Sequence, residues 1–134
     1  ASTELTVHRA IYKRTSASAI VHAHPAYAVA LSFTEQEVVP CDVEGKLLLS
    51  KVPVLGWEMN IKPGELAEEI AEALTAHKIV LVRCHGSFAA GQLLEEAYHY
   101  TTTLEESCRL LYLLKALQID LHRPSRNIRQ PKKR

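Results

Sequence analysis

Cysteine is scarce in this 134-residue chain. The three present, Cys41, Cys84 and Cys108, are an odd number set far apart. No C-x-x-C occurs, which argues against a disulfide framework and a zinc ribbon and fits a reducing cytoplasm. Each cysteine reads as a small apolar filler. Cys84, next to a histidine of interest, is also a candidate to support a site indirectly. No apolar run approaches the roughly 18 to 20 residues that span a bilayer, so no membrane partner is expected. The sequence opens without a basic stretch followed by an apolar one, and no secretory signal is read there. There is no internal repeat, and low complexity is confined to the C-terminal tail.

What remains is ordinary globular material: 47% hydrophobic and 23% charged residues, in a length that suits one domain with a real core. Net charge is +1 but unevenly spread. The tail from residue 123 to 134 carries six of the 16 basic residues and no acidic one, which leaves the body with ten against 15 acidic residues, a balance of −5. A basic tail can touch nucleic acid or anionic lipid. The plainer expectation is a solvated, disordered tail over residues 119–134, with residues 1–118 forming the domain. Nothing in the body suggests a nucleic-acid surface.

Hydrophobic spacing predicts alternating helices and strands. Residues 3–14 read as a helix with Leu5, His8, Ile11 and Tyr12 on one stripe and Thr3 as its cap. Residues 19–24 read as a strand, and Pro25 then opens a helix to about residue 33. Residues 35–45 read as a loop, punctuated by Pro40 and Gly45. Residues 46–50 and 52–55 are short strand candidates. A helix follows over 63–77, opened by Pro63 and Gly64, with Glu65, Glu68 and Glu69 near its positive end. Residues 79–82 form a continuous apolar strand, expected to be central and covered on both faces. Residues 87–90 are its hairpin partner. A long helix over 93–117 carries Leu94, Ala97, Thr101, Leu104, Cys108 and Leu111 on one stripe. The pattern is that of a mixed α/β domain, a sheet covered by helices.

Histidine supplies the chemistry. In "SAIVHAHPAYAVALS", residues 18–32, His22 and His24 sit one residue apart. Side chains alternate along a strand, so Ile20, His22 and His24 point together while Ala19, Val21 and Ala23 point away. Two imidazoles so placed can converge on one ion; they also read as polar residues at a strand end. His85, in "VLVRCHGSFAAG", follows the apolar strand, where loops commonly carry function, and Gly86 lets backbone pass close to a ligand. Glu4 stands near a helix N-terminus, where a carboxylate is favoured by the dipole alone. His8, one turn on, is placed to support it. His77 is explained by a helix C-terminus, and His99 and His122 carry no signal. Three neutral imidazoles and one carboxylate suit a tetrahedral divalent ion, zinc above all, and a carboxylate that can leave would open a position for substrate.

Taken in order, "STELTVHRAIYKRTSASAIVHAHPAYAVALS", "PCDVEGKLLL", "VPV", "ELAEEIAEAL", "VLVRCHGSFAAG" and "LEEAYHYTTTLEESCRLL" resemble the class II aldolase/adducin family. The pattern is most similar to its sugar-phosphate aldolases of the fuculose-1-phosphate type. The likeness runs from Ser2 to about Leu117. It implies a three-layer α/β/α sandwich with a mostly antiparallel central sheet, and a cytoplasmic, fourfold-symmetric homotetramer with active sites between subunits. By motif position, His22, His24 and His85 match three zinc ligands. Glu4 matches the carboxylate that ligates zinc at rest and then acts as catalytic acid/base, and Ser2 and Thr3 match a pair that helps hold the substrate phosphate. The implied activity is reversible cleavage of a ketose 1-phosphate to dihydroxyacetone phosphate and an aldehyde, with one Zn²⁺ per subunit steadying the enediolate that is left.

Two departures accompany the resemblance. The family's domain begins about seventy residues earlier, with a Gly-Asn loop and a Thr-Gly turn that complete the phosphate site. The expectation is therefore a fragment, or one chain of a split protein, that needs an N-terminal segment or companion chain. The family also places a tyrosine acid after the proline that follows H-x-H, where this chain reads Val39-Pro40-Cys41-Asp42-Val43-Glu44. Glu44 or Asp42 is then the candidate replacement. Other functions on the same scaffold are a pentulose-phosphate 4-epimerase, a dehydratase, and a non-catalytic, adducin-like structural domain. The epimerase branch usually has aspartate at the place of Glu4, and retention of all four ligands argues against the structural role.

Overall fold

The structure, a computed structural model, describes residues 3–58 and 60–118, with Thr3 described by its backbone alone. The basic tail expected to be disordered, Ser2, and the proposed cap of Thr3 therefore lie outside what is described. The elements run α1 (Thr3–Arg14), β1 (Ala19–Ala23), α2 (Ala26–Ser32), β2 (Glu37–Val38), α3 (Val43–Leu48), β3 (Val52–Leu55), α4 (Pro63–Ala73), β4 (Ile79–Val82), β5 (Gly86–Gly91) and α5 (Leu94–Ala116).

The sheet order is β1-β5-β4-β3-β2, and three of its four pairings are antiparallel, only β3 and β4 running together. β4 is the middle strand and all four of its residues are buried. Its alternation explains why it is apolar throughout. Ile79 and Leu81 enter a core with Ala28 and Leu31 of α2 and Leu104 and Cys108 of α5. Val80 and Val82 enter a second core with Ile11 of α1 and Ile70 of α4. Helices thus cover both faces, the expected three layers. Each such fully buried aliphatic side chain contributes about 1.5–3 kcal/mol relative to exposure.

Several readings of the sequence are corrected. The segment 46–50 is not a strand; most of it belongs to α3, whose N-cap is Asp42, accepting a hydrogen bond from the Gly45 N–H at 3.0 Å. Within the expected loop 35–45, Glu37 and Val38 pair with β3 as a short edge strand. In α1 the buried face is Val7, Ala10 and Ile11, while Leu5 and Tyr12 are 43% and 48% exposed. The helix is turned so that this face meets α4. Likewise α4 ends at Ala73 rather than His77, and Leu94 of α5 is exposed while Ala97, Thr101, Leu104 and Cys108 are buried. Of the cysteines only Cys108 is a buried filler, its thiol pushed up to about 12 by burial and by the nearby Glu105 and Asp42 carboxylates. Cys84 is exposed and Cys41 half-buried.

Candidate metal centre

The antiparallel pairing of β1 with β5 sets His22 directly across from Phe88, on the face toward α1 and α4. The two rings stack, 4.1 Å between centroids and 17° between planes. His24 lies just past the end of β1. His85 ends the turn between β4 and β5, whose Cys84 holds a left-handed φ of +60°. Gly86 has to be glycine here, because a Cβ would stand 2.2 Å from the Ala23 carbonyl oxygen and 2.7 Å from the His24 ring. What Gly86 admits is therefore the end of β1 itself, and this close approach puts His24 beside His85.

Glu4, on the first turn of α1, completes the group. One donor atom from each of Glu4, His22, His24 and His85 can be chosen so that all lie within 4.8 Å of one another. His22 Nε2 is 3.3 Å from Glu4 Oε1 and 3.0 Å from His24 Nε2. The His85 ring centroid is 5.1 Å from those of both His22 and His24. A tetrahedral ion with bonds of about 2.0–2.1 Å requires donors about 3.3–3.4 Å apart; the two separations at His22 Nε2 are close to this, and the wider ones, within 4.8 Å, would have to close on an ion.

The protonation pattern suits one too. His22 Nδ1 lies 2.8 Å from the Ser87 carbonyl oxygen, which can only accept, so Nδ1 carries the proton and Nε2 offers its lone pair to the centre. Burial holds the His22 pKa below the ordinary 6.5. The bond to Ser87 and the Glu4 carboxylate act in the opposite sense, and His85 and His24 act with burial. The ring is thus neutral at neutral pH, as a ligand must be. His22 is the most enclosed of the four, its side chain 10% exposed; Glu4 at 46% has room to move.

Other candidate residues stand elsewhere or support from outside. His8 Nδ1 donates to the Glu4 main-chain carbonyl at 2.8 Å and its ring meets the Phe88 ring edge-on, so it braces α1 beneath the site. Glu44 pairs with His99 at 3.5 Å, and neither it nor Asp42 joins the four-residue group. Ser107 Oγ donates to Asp42 at 2.7 Å. Burial works to raise the Asp42 pKa, but the hydrogen bonds from Ser107 and Gly45 outweigh it and hold the carboxyl below its ordinary 3.8. A carboxyl so held is a poor proton donor, and its place is that of a helix cap. Phe88 and the Ser87 carbonyl escape sequence reasoning, because their relation to His22 exists only in the strand register. Glu4, His85 and Phe88 also line an apolar cavity of about 180 Å³ with Val7, Leu66 and Ile70.

A profile described as "Class II Aldolase and Adducin N-terminal domain" matches residues 1–112. The L-fuculose phosphate aldolase of Methanococcus maripaludis is 28% identical over 118 residues, 87% of this chain and 64% of that protein. The 3-oxo-tetronate 4-phosphate decarboxylase of Pectobacterium atrosepticum is 31% identical over 121 residues, 84% of this chain and 54% of that one. Among solved structures, the L-fuculose-1-phosphate aldolase from Thermus thermophilus superposes with a TM-score of 0.81 at 46% identity, over 88% of this chain and 64% of that one. The chain thus spans at most 64% of the length of these relatives. The matched region takes in every element that carries Glu4, His22, His24 and His85, and the chain belongs to the class II aldolase and adducin family.

Proposed function

We propose that this chain carries the metal-binding part of a sugar-phosphate aldolase. It cleaves a ketose 1-phosphate of the fuculose type, reversibly, to dihydroxyacetone phosphate and an aldehyde. The observation that carries the reading is the convergence of Glu4, His22, His24 and His85 within 4.8 Å, with His22 presenting its lone pair inward. The 46% identity to the Thermus thermophilus aldolase supports the substrate class.

Residues 1–118 form the catalytic unit. His22, His24 and His85 would hold one Zn²⁺ per subunit, with Glu4 as a fourth ligand that can leave. When bound, the ion supplies Lewis-acid stabilisation of the negative charge that develops on the ketose oxygens. Glu4, half-exposed, swings free and moves the proton at the nucleophilic carbon, a contribution of about 10²- to 10⁴-fold in rate. By motif position, Ser2 and Thr3 help hold the phosphate. The protein acts in the cytoplasm as a homotetramer with sites between subunits. Apolar side chains left open on α3 and α5, Val43 at 75%, Leu47 at 83% and Tyr98 at 63%, support burial against another copy.

A second reading has one specific support, the 31% identity to a 3-oxo-tetronate 4-phosphate decarboxylase. Decarboxylation of a 3-oxo acid also leaves negative charge beside a carbonyl, so the same four residues would serve. The two are separated by product. Zn²⁺-loaded full-length protein is incubated with fuculose 1-phosphate, ribulose 5-phosphate and 3-oxo-tetronate 4-phosphate. Dihydroxyacetone phosphate release that falls 10²- to 10⁴-fold in Glu4→Gln, with zinc retained, is expected. Release of CO₂ alone would give the decarboxylase; xylulose 5-phosphate from ribulose 5-phosphate would give the epimerase. No turnover of any substrate would sink the enzymatic reading.

A further inference from the structure

α2 is only seven residues long, yet it lies between two of the four ligands. His24 stands two residues before its first residue, and its last residue, Ser32, reaches the turn that bears His85. Both ends are held from outside the helix. Pro25, the N-cap, makes no side-chain cap bond. Glu105 of α5 takes that part instead: its carboxylate accepts the Tyr27 N–H at 3.3 Å and the Ala28 N–H at 3.0 Å. Ala28 is fully buried, so without Glu105 that N–H has no water to turn to. At the other end Ser32, also fully buried, donates from Oγ to the Val29 carbonyl at 2.6 Å and accepts the Cys84 N–H at 2.9 Å.

We propose that Glu105 and Ser32 are positioning residues for the metal centre, clamping α2 at its two ends so that the helix sets the separation of His24 and His85. Cys84 immediately precedes His85 and holds a left-handed φ that a non-glycine residue adopts only when the surroundings impose it. The Ser32 hydroxyl is what grips that residue's N–H. If the grip is lost, Cys84 can relax toward negative φ, and the His85 ring turns away from its partners. If Glu105 is lost, the first turn of α2 frays and releases the Ala23–Pro25 bend that carries His24. A residue that merely stabilised the fold would lower the melting point and leave the ligand geometry alone. The inference rests on the metal-binding reading above.

The test is Co²⁺ titration, with Co²⁺ alone as the probe, of wild type, Ser32→Ala, Glu105→Gln and the control Leu74→Ala. Leu74 is buried in the α1/α4 core and touches neither clamp. Affinity and the visible absorption of the bound ion are both read. Ser32→Ala and Glu105→Gln should each bind about tenfold more weakly, the usual scale for residues behind a ligand, with altered band intensity. Leu74→Ala should lose stability and keep the wild-type spectrum. Wild-type affinity and spectrum in both clamp variants would overturn the proposal, whatever their stability. If Ser32→Ala does not fold, Glu105→Gln decides, since its amide keeps one acceptor oxygen. A wild type that binds no Co²⁺ overturns the metal reading, and this inference with it; that result differs from variants that match a binding wild type.

Discussion

The His22 imidazole gives one nitrogen to the sheet and keeps the other for the site. Nδ1 is tied to the Ser87 carbonyl, the ring is stacked on Phe88, and Nε2 faces Glu4 and His24. Burial depresses its pKa, which has a consequence for stability without metal. The unfolded chain titrates near 6.5, and the folded ring takes up its proton only at lower pH. Stability from this group is therefore complete above about pH 6.5 and falls as the pH drops from there toward the folded value, because the unfolded state binds the extra proton. Chelator-treated protein should show a lower urea midpoint at pH 5.5 than at pH 7.5, and His22→Gln should flatten that difference. Equal pH dependence in both proteins would mean that His22 is not the group responsible. That His22, His24 and His85 are candidates for one site is legible in the sequence, because H-x-H on a strand and a histidine after one are local features. The residues that aim them are not, because Phe88 and Ser87 reach His22 only through pairing across more than sixty residues of chain.

Among the elements, the legible ones are those whose pattern admits a single reading. β4 is short, apolar and β-branched; β5 follows after a tight turn; β1 alternates; α5 is too long to be anything but a helix. α3 is different. Leu47, Leu48 and Leu49 in a row are as compatible with a strand as with a buried helix turn. What decides is Asp42, whose carboxylate takes the Gly45 N–H, and the close contact of Gly45 with α5, where a Cβ would meet Ser107 Oγ at 2.2 Å. The α1 stripe fails for a related reason. Two faces can be drawn through Leu5 to Tyr12, and only α4 selects the one with Val7, Ala10 and Ile11. The cap role makes its own prediction. Asp42→Ala should cost about 0.5–2 kcal/mol for the cap and about 1 kcal/mol for the Ser107 bond, read as a lower denaturant midpoint at pH 7 with unchanged zinc affinity. Asp42→Asn, still able to cap, should lose less. A large fall in turnover in Asp42→Asn at normal stability would instead restore Asp42 as the missing acid.

At the scale of the molecule, the four grouped residues, Glu4, His22, His24 and His85, come from α1, from the end of β1 and from the β4–β5 turn. Away from the site α1 rests on α4 through apolar packing, and β1, an edge strand among the described residues, is joined to β5 by an antiparallel ladder. An ion at their meeting point therefore ties the start of one helix to two strands. Binding that requires the folded arrangement stabilises it by mass action, about 2.7 kcal/mol when free metal is a hundred times the dissociation constant. For a domain of this size that corresponds to roughly 10 °C in melting temperature. Removing the metal with a chelator should lower the melting temperature by about that much, and adding Zn²⁺ back should restore it. His85→Ala should melt at the same temperature with and without Zn²⁺, since a ligand set without its β4–β5 member no longer spans the three segments. If His85→Ala gained as much from Zn²⁺ as the unaltered chain, His85 would not be among the groups that hold the ion.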